Sequence, residues 1–210
     1  PLYSSAASDV YKRQVLCAVG FYKFVYFLSI GYGFAIAGLG VAILILFRQQ
    51  AAFVHVIQCL LFLAYGARLS GFLLYREIKN AAYRKTLAEA TTAEKGMPVF
   101  VKACIWIFVT VLYVAQVSPV FYRQYNGVGD TLLPWIGVII SIAALIIESL
   151  ADKQKSQQKA KRPDMVATEG LYKMVRCPNY FGEILFWTGV LVGGLSALQG
   201  AGQWLSLIHI

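Results

Sequence analysis

The residues best suited to chemistry lie in the run GLYKMVRCPNYFGEILFWTGVLVGG, Gly170 to Gly194. A basic stretch ends at Arg176, and Pro178 is placed to open a helix that carries Asn179 and Glu183 into apolar sequence. Proline suits the first helical turn, where an N–H has no helical partner to lose. The remaining free N–H groups of that turn, with the helix dipole, favour an anionic group beside it. Asn179, Glu183 and Trp187 follow at i, i+4 and i+8 and share one face. A carboxylate on a membrane helix is costly unless it is paired, hydrated or used. Glu183 is therefore a functional candidate.

A second acidic group closes the preceding apolar run, IIESLADKQKSQQKAKRPDM. Glu148 and Asp152 stand four apart on a helix leaving the apolar stretch, and Gln154 and Lys159 follow. The lysines alone read as a solvated flank. Glu148 is less bland, because it follows Ile and Leu near the expected interface, where an unpaired carboxylate is expensive. Pairing with Lys153, or snorkelling, is the structural alternative. Upstream, Gln58, Tyr65 and Arg68 form a polar cluster within an apolar run. Arg68 and Arg76 also fit an account in which they only snorkel to the interface.

The elements that must position these groups are membrane helices. The chain of 210 residues is 59% hydrophobic and 14% charged, with a mean hydropathy of +0.62. Those values belong to a multi-pass membrane protein rather than a soluble domain. Five apolar runs reach the length of about 20 residues that a crossing helix needs: 24–47, 51–75, 99–122, 132–150 and 181–204. The fold class expected is therefore all-α, a transmembrane bundle in a single membrane domain over 15–204. The net charge of +9 does not imply nucleic acid, since the positive residues sit in connections between apolar runs. Connections 76–98 and 151–180 are rich in Lys and Arg, whereas the other two hold only Arg48 and Arg123. That alternation assigns the rich ones to the cytoplasm, and a bacterial inner membrane is the expected location. Gly189 and Gly193 (G-x-x-x-G), and Gly31, Gly33, Gly38 and Gly40, read as close-packing devices.

Cys17, Cys59, Cys104 and Cys177 include no C-x-x-C pair, and His55 with Cys59 is too sparse a set to argue a metal. No metal is expected. No G-x-G-x-x-G follows a strand pattern, and no Ser–His–Asp set, P-loop or H-E-x-x-H is present. The termini read as foreign. Leu205–Ile210 (LSLIHI) is the translation of CTGTCTCTTATACACATC, and Asp9–Gln14 (DVYKRQ) is the translation of its reverse complement. Residues 1–14 and 205–210 are accordingly expected to derive from a sequencing adapter, and native residues are expected to be missing at both ends.

The pattern E-x-x-x-A-D-x-Q, a short basic loop, then G-L-Y-x-x-x-R-x-P-N-Y-F-G-E over 148–194 resembles the bacterial DUF1295 proteins of the steroid 5-alpha-reductase superfamily. Arg68 and Tyr83-Arg84 match upstream positions of that pattern. The resemblance implies an integral membrane, NADPH-dependent reductase of a C=C bond in a lipid or steroid-like enone. It places the cofactor at the cytoplasmic ends of the last helices. It assigns cofactor contacts to Glu148, Asp152, Gln154, Lys159, Arg176, Asn179, Tyr180 and Glu183, and leaves the catalytic donor among Tyr65, Arg68 and Gln58. Two positions depart from the family, Cys177 in place of His and Tyr172 in place of Trp. Further cofactor-contacting Arg and Tyr residues of the relatives are expected beyond Trp204.

In such a reaction the cofactor supplies the chemistry, while the protein binds, orients and excludes water. The expected partners are an apolar small-molecule substrate and membrane lipids, and nothing in the sequence sets an oligomeric state. An S-adenosylmethionine-dependent methyltransferase of the isoprenylcysteine carboxyl methyltransferase type shares the R-H-P-x-Y-x-G segment. It usually lacks the acid after that glycine, so Gly182-Glu183 favours the reductase. A non-catalytic lipid-binding protein is the remaining alternative, since fold does not fix function.

Overall fold

The computed structural model describes residues 30–93, 98–162 and 164–200. They form helices joined by short connections, with no strand among the described residues. The helices are Ile30–Leu46 (α1), Phe53–Lys79 (α2), Ala81–Ala93 (α3), Val99–Tyr125 (α4), Leu132–Lys161 (α5) and Pro178–Gly194 (α6). Single 3-10 turns occupy Gly170–Lys173 and Leu195–Ala197. α2, α4, α5, and α6 with its following turn, are long and apolar enough to cross a bilayer, and α1 is a shorter apolar helix of 17 residues. The chain is a multi-pass membrane protein. Residues 24–29 of the first expected span, 201–204 of the last, Cys17 and the adapter-like ends 1–14 and 205–210 lie outside the described residues.

Two of the expected connections are more helical than their charge implied. α5 does not stop with the apolar run at Leu150 but continues to Lys161. The run DKQKSQQKAK is rich in good helix formers and contains no breaker before Pro163. The stretch 76–98, expected as a loop, contains α3. Asn80 restarts the helix there, its Oδ1 accepting the Tyr83 N–H at 3.0 Å as an N-cap. Arg84 donates back to the carbonyls of Ile78 (2.6 Å) and Glu77 (3.2 Å) at the end of α2. The Arg76 guanidinium lies 4.4 Å from the Tyr83 ring centroid, a cation–π stack rather than a simple reach toward headgroups.

The chain divides into two compact units, which among the described residues comprise 30–51 with 59–118, and 52–58 with 119–200. In the first unit α1 and α2 run along a seam of small residues. Gly33 abuts Gly66 and Ser70, Gly66 abuts Ala37, and Gly40 abuts Cys59 and Phe62. The Ser70 hydroxyl donates to the Ile30 carbonyl at 2.9 Å across that seam. Buried in the same unit, the Tyr65 hydroxyl donates to the Tyr32 hydroxyl at 3.2 Å. The Tyr113 ring lies 4.6 Å from that of Tyr32. In α4 the Ser118 hydroxyl donates to the Ala115 carbonyl at 2.7 Å, the acceptor that Pro119, lacking an N–H, leaves without a helical partner.

In the second unit α5 and α6 are antiparallel and meet on a ladder of close approaches. Gly137 faces Gly189 and Gly193, Ser141 faces Gly189, and Ala144 and Glu148 face Gly182. Between lipid-embedded helices there is no hydrophobic drive to associate, so backbone proximity and packing supply the attraction. The glycines read as packing devices at 33, 40, 189 and 193 all line such seams.

A side chain at Gly137 would place its Cβ 2.5 Å from the Gly189 carbonyl oxygen, and that backbone atom cannot yield. Gly137→Leu should lower unfolding stability in detergent by at least about 1–3 kcal/mol, the usual range for overpacking. Gly71, with open space around it, is the control. Gly71→Ala should leave stability unchanged or raise it by up to about 1 kcal/mol.

Candidate cofactor-binding site

The acidic residues of the last two helices belong to one end of the α5–α6 pair. The ladder fixes this register, since Glu148 packs directly on Gly182, whose missing side chain makes room for the Glu148 Cγ. Continued by one turn, the same register brings Ala151 and Asp152 level with Pro178 and Asn179. Pro178 is the first residue of α6, as expected from its type, and Cys177 precedes it without a side-chain cap. The first-turn N–H groups of α6 are therefore not satisfied by a capping side chain.

The eight residues assigned to cofactor contact grade from interior to surface. Glu148 is buried at 2% exposure. Asp152, Gln154, Asn179 and Glu183 are half-buried, and Lys159, Arg176 and Tyr180 are exposed. By the register of the ladder, Glu148, Asp152, Asn179 and Glu183 belong to the same end of the helix pair. Lys159 lies two turns further along α5, roughly 10 Å from Asp152 at 1.5 Å per residue.

Gln154 has a structural task. Its Oε1 accepts the Leu171 N–H at 2.9 Å, beside Gly170, whose φ of +66° is one that glycine adopts without strain. One turn on, Gln158 makes a double clamp that the sequence reading missed. Its Oε1 accepts the N–H groups of Thr168 (2.8 Å) and Glu169 (3.1 Å), and its Nε2 donates to the Glu169 carbonyl (3.1 Å). The available signal was the i, i+4 pair of glutamines in an otherwise lysine-rich stretch. Tyr172, in the turn held by these clamps, donates to the Ala151 carbonyl at 3.4 Å. Burial pushes its phenol above the ordinary tyrosine value, with smaller contributions from the charges of Asp152 and Cys177. The connection into α6 is therefore pinned along the outer turns of α5, which sets where Arg176 and the first turn of α6 begin.

The three residues considered as carbonyl-polarising donors all lie on α2. Tyr65 is 1% exposed with its hydroxyl on Tyr32, Gln58 is 4% exposed, and Arg68 is half-buried. Among the described residues no three His, Cys, Asp or Glu side chains come together to hold a metal.

A family model described as "Protein of unknown function (DUF1295)" matches residues 18–209. Over 127 residues the chain is 30% identical to the steroid 5-alpha-reductase DET2 of Gossypium hirsutum, which is 58% of this chain and 49% of that protein. The chain therefore spans about half the length of the curated relative it matches. No solved structure matches with significance.

Gln158→Ala should release the loop without unfolding the helices. Hydrogen exchange at the Thr168 and Glu169 amides should quicken about tenfold, as expected for hydrogen bonds worth about 1 kcal/mol each, while α6 amides keep their protection. Because the Tyr172 phenol is raised in the folded state, its contribution is complete below the ordinary tyrosine pKa. It is lost as pH rises through the raised value. Tyr172→Phe should remove that alkaline loss of loop protection, as read by exchange at the same amides.

Proposed function

The chain belongs to the DUF1295 family, and on that premise we propose that it acts as an integral membrane reductase that uses NADPH to saturate a C=C bond in a lipid or steroid-like enone. The observation that carries this reading is Glu148. It is a carboxylate buried on a membrane helix, seated on Gly182 and one residue from the position of a second acid, Glu183. Ionisable groups so placed are expensive and are retained where they work. A motif match alone would carry less, because motif matches remain hypotheses until the structural context agrees.

NADPH, when bound, supplies the hydride, and the protein holds and orients it. Asp152, Asn179 and Glu183 offer acceptors and an amide for ribose hydroxyls and the nicotinamide carboxamide. Arg176 and Lys159 offset phosphate charge through charge-assisted hydrogen bonds, and the uncapped first turn of α6 adds N–H donors. Tyr180 offers an exposed ring and hydroxyl at the same turn. Gln154 takes part through its amide nitrogen, its oxygen being engaged by Leu171. Glu148, within the seam on Gly182, is the innermost of the proposed contacts. The donor to the enone oxygen is sought among Tyr65, Arg68 and Gln58 on α2. Under this reading the cofactor end faces the cytoplasm, in line with the basic connections 76–98 and 151–180.

The test is ligand binding by the full-length protein in detergent. NADPH should bind and protect against thermal unfolding, and Glu183→Gln or Asn179→Ala should abolish that binding at unchanged expression. Unchanged NADPH affinity in either variant contradicts the assigned roles. Protection by S-adenosylmethionine without protection by NADPH moves the protein to the methyltransferase reading.

A further inference from the structure

A second polar group is buried in the same unit, at the other end of α5 from Glu148. Arg123, 3% exposed, pairs with Asp130 (Nη2 to Oδ1, 2.6 Å) and donates to the Gly129 carbonyl at 3.3 Å. The second oxygen of Asp130 accepts the Val54 N–H at 3.3 Å. This carboxylate therefore ties the first turn of α2 to the turn between α4 and α5. His55 and Gln58 follow on α2 at i and i+3, 0% and 4% exposed, and Gln124, 6% exposed, follows Arg123. From Leu132 to Glu148 the helix rises roughly 24 Å at 1.5 Å per residue, so this group is separate from the candidate cofactor end.

Three of its buried donors, Arg123 Nε, Gln58 Nε2 and Gln124 Nε2, have no hydrogen-bond partner among the described residues. Leaving buried donors unmade is expensive, and all three belong to the helix ends that the Arg123–Asp130–Val54 tie brings together. All three are N–H groups, so the missing partner is an oxygen acceptor. Its charge can be argued too. The Arg123 cation is already balanced by Asp130, and the same carboxylate would repel an anion, so the acceptor is uncharged. The level in the membrane follows from the rim. Phe53 and Trp135, 67% and 40% exposed, sit with ring centroids 6.2 Å apart at the starts of α2 and α5. Exposed aromatic rings at helix ends mark the interfacial zone, where lipid ester carbonyls lie.

We propose that Arg123, Gln58 and Gln124 form a binding site for the uncharged carbonyl oxygen of an amphipathic molecule at the membrane interface opposite the candidate cofactor end. The carbonyl belongs either to an ester-linked bilayer lipid or to a ketone that enters from the membrane. The site shares Gln58 with the donors weighed for the enone oxygen, but none of its residues belongs to the α5–α6 mouth, so loss of the NADPH reading through Glu183→Gln or Asn179→Ala would leave it standing.

The test compares melting temperatures of the full chain in micelles doped with ester-linked phosphatidylcholine, with its ether-linked analogue, or with progesterone as a ketone probe. The ester lipid should stabilise the chain more than the ether analogue, and Gln58→Leu should erase that difference. Stabilisation by progesterone alone, erased by the same substitution, supports the site with a ketone as its occupant. Equal behaviour of ester and ether lipids with no progesterone effect overturns it. So does a Gln58→Leu chain that is simply more stable with its lipid response intact, since the donor would then have been an ordinary unsatisfied group. Gln124→Leu, read against the same three additives, carries the test should Gln58→Leu fail to fold.

Discussion

The seam between α5 and α6 is the constraint on which the candidate site depends. Gly137, Gly189 and Gly193 bring two helix backbones together, and Gly182 extends the approach to Glu148. In lipid, where apolar side chains gain nothing by leaving the acyl phase for one another, such contacts hold a helix pair. The seam also fixes the register, and the register sets the chemistry. With Gly182 against Glu148, a carboxyl side chain is held between helices instead of reaching for the interface, and Asp152, Asn179 and Glu183 fall at the same end of the pair.

The second unit keeps polarity at both ends of α5 and an apolar, glycine-lined contact between them. At one end acids predominate, with the glutamine-clamped loop supplying basic residues along its edge. At the other, Arg123 is neutralised by Asp130, and the donors left over have no negative counterpart. The two proposals accordingly assign different ligands to the two ends: a charged, hydroxyl-rich one to the Glu148 end and an uncharged carbonyl to the Arg123 end. Buried ion pairs add little net stability against well-packed apolar side chains. The tie from Asp130 to the Val54 N–H matters instead because it orients the first turn of α2.

Much of this was legible because its signals are local. Apolar run length marked five spans, four of which are helices of crossing length among the described residues; Pro178 marked the start of α6, and the G-x-x-x-G at Gly189 and Gly193 marked the seam. Glu148 stood out because a carboxylate after Ile and Leu violates the local pattern. Helix α3 was hidden because the stretch was judged by its charge, although Asn80 is a good N-cap and Arg76 and Arg84 can fold back on the same corner. The extension of α5 was legible as far as Asp152, on a helix leaving the apolar run, but not to Lys161, since lysine and glutamine favour helix as readily as they mark a solvated loop. The pairings of Tyr32 with Tyr65 and of Arg123 with Asp130 and Val54 depend on which helix ends meet, and single-residue patterns do not encode that. Gln158 was passed over because an amide in a lysine-rich stretch looks like solubilising surface until the loop it holds is in view.

The most direct measurement is hydrogen exchange across 144–185 in the full-length protein, with and without NADPH. Protection concentrated at 176–183 and at the outer turns of α5, absent with S-adenosylmethionine, is the predicted result. Exchange that NADPH leaves unchanged throughout that segment would contradict the claim that these acidic and amide side chains hold a nucleotide.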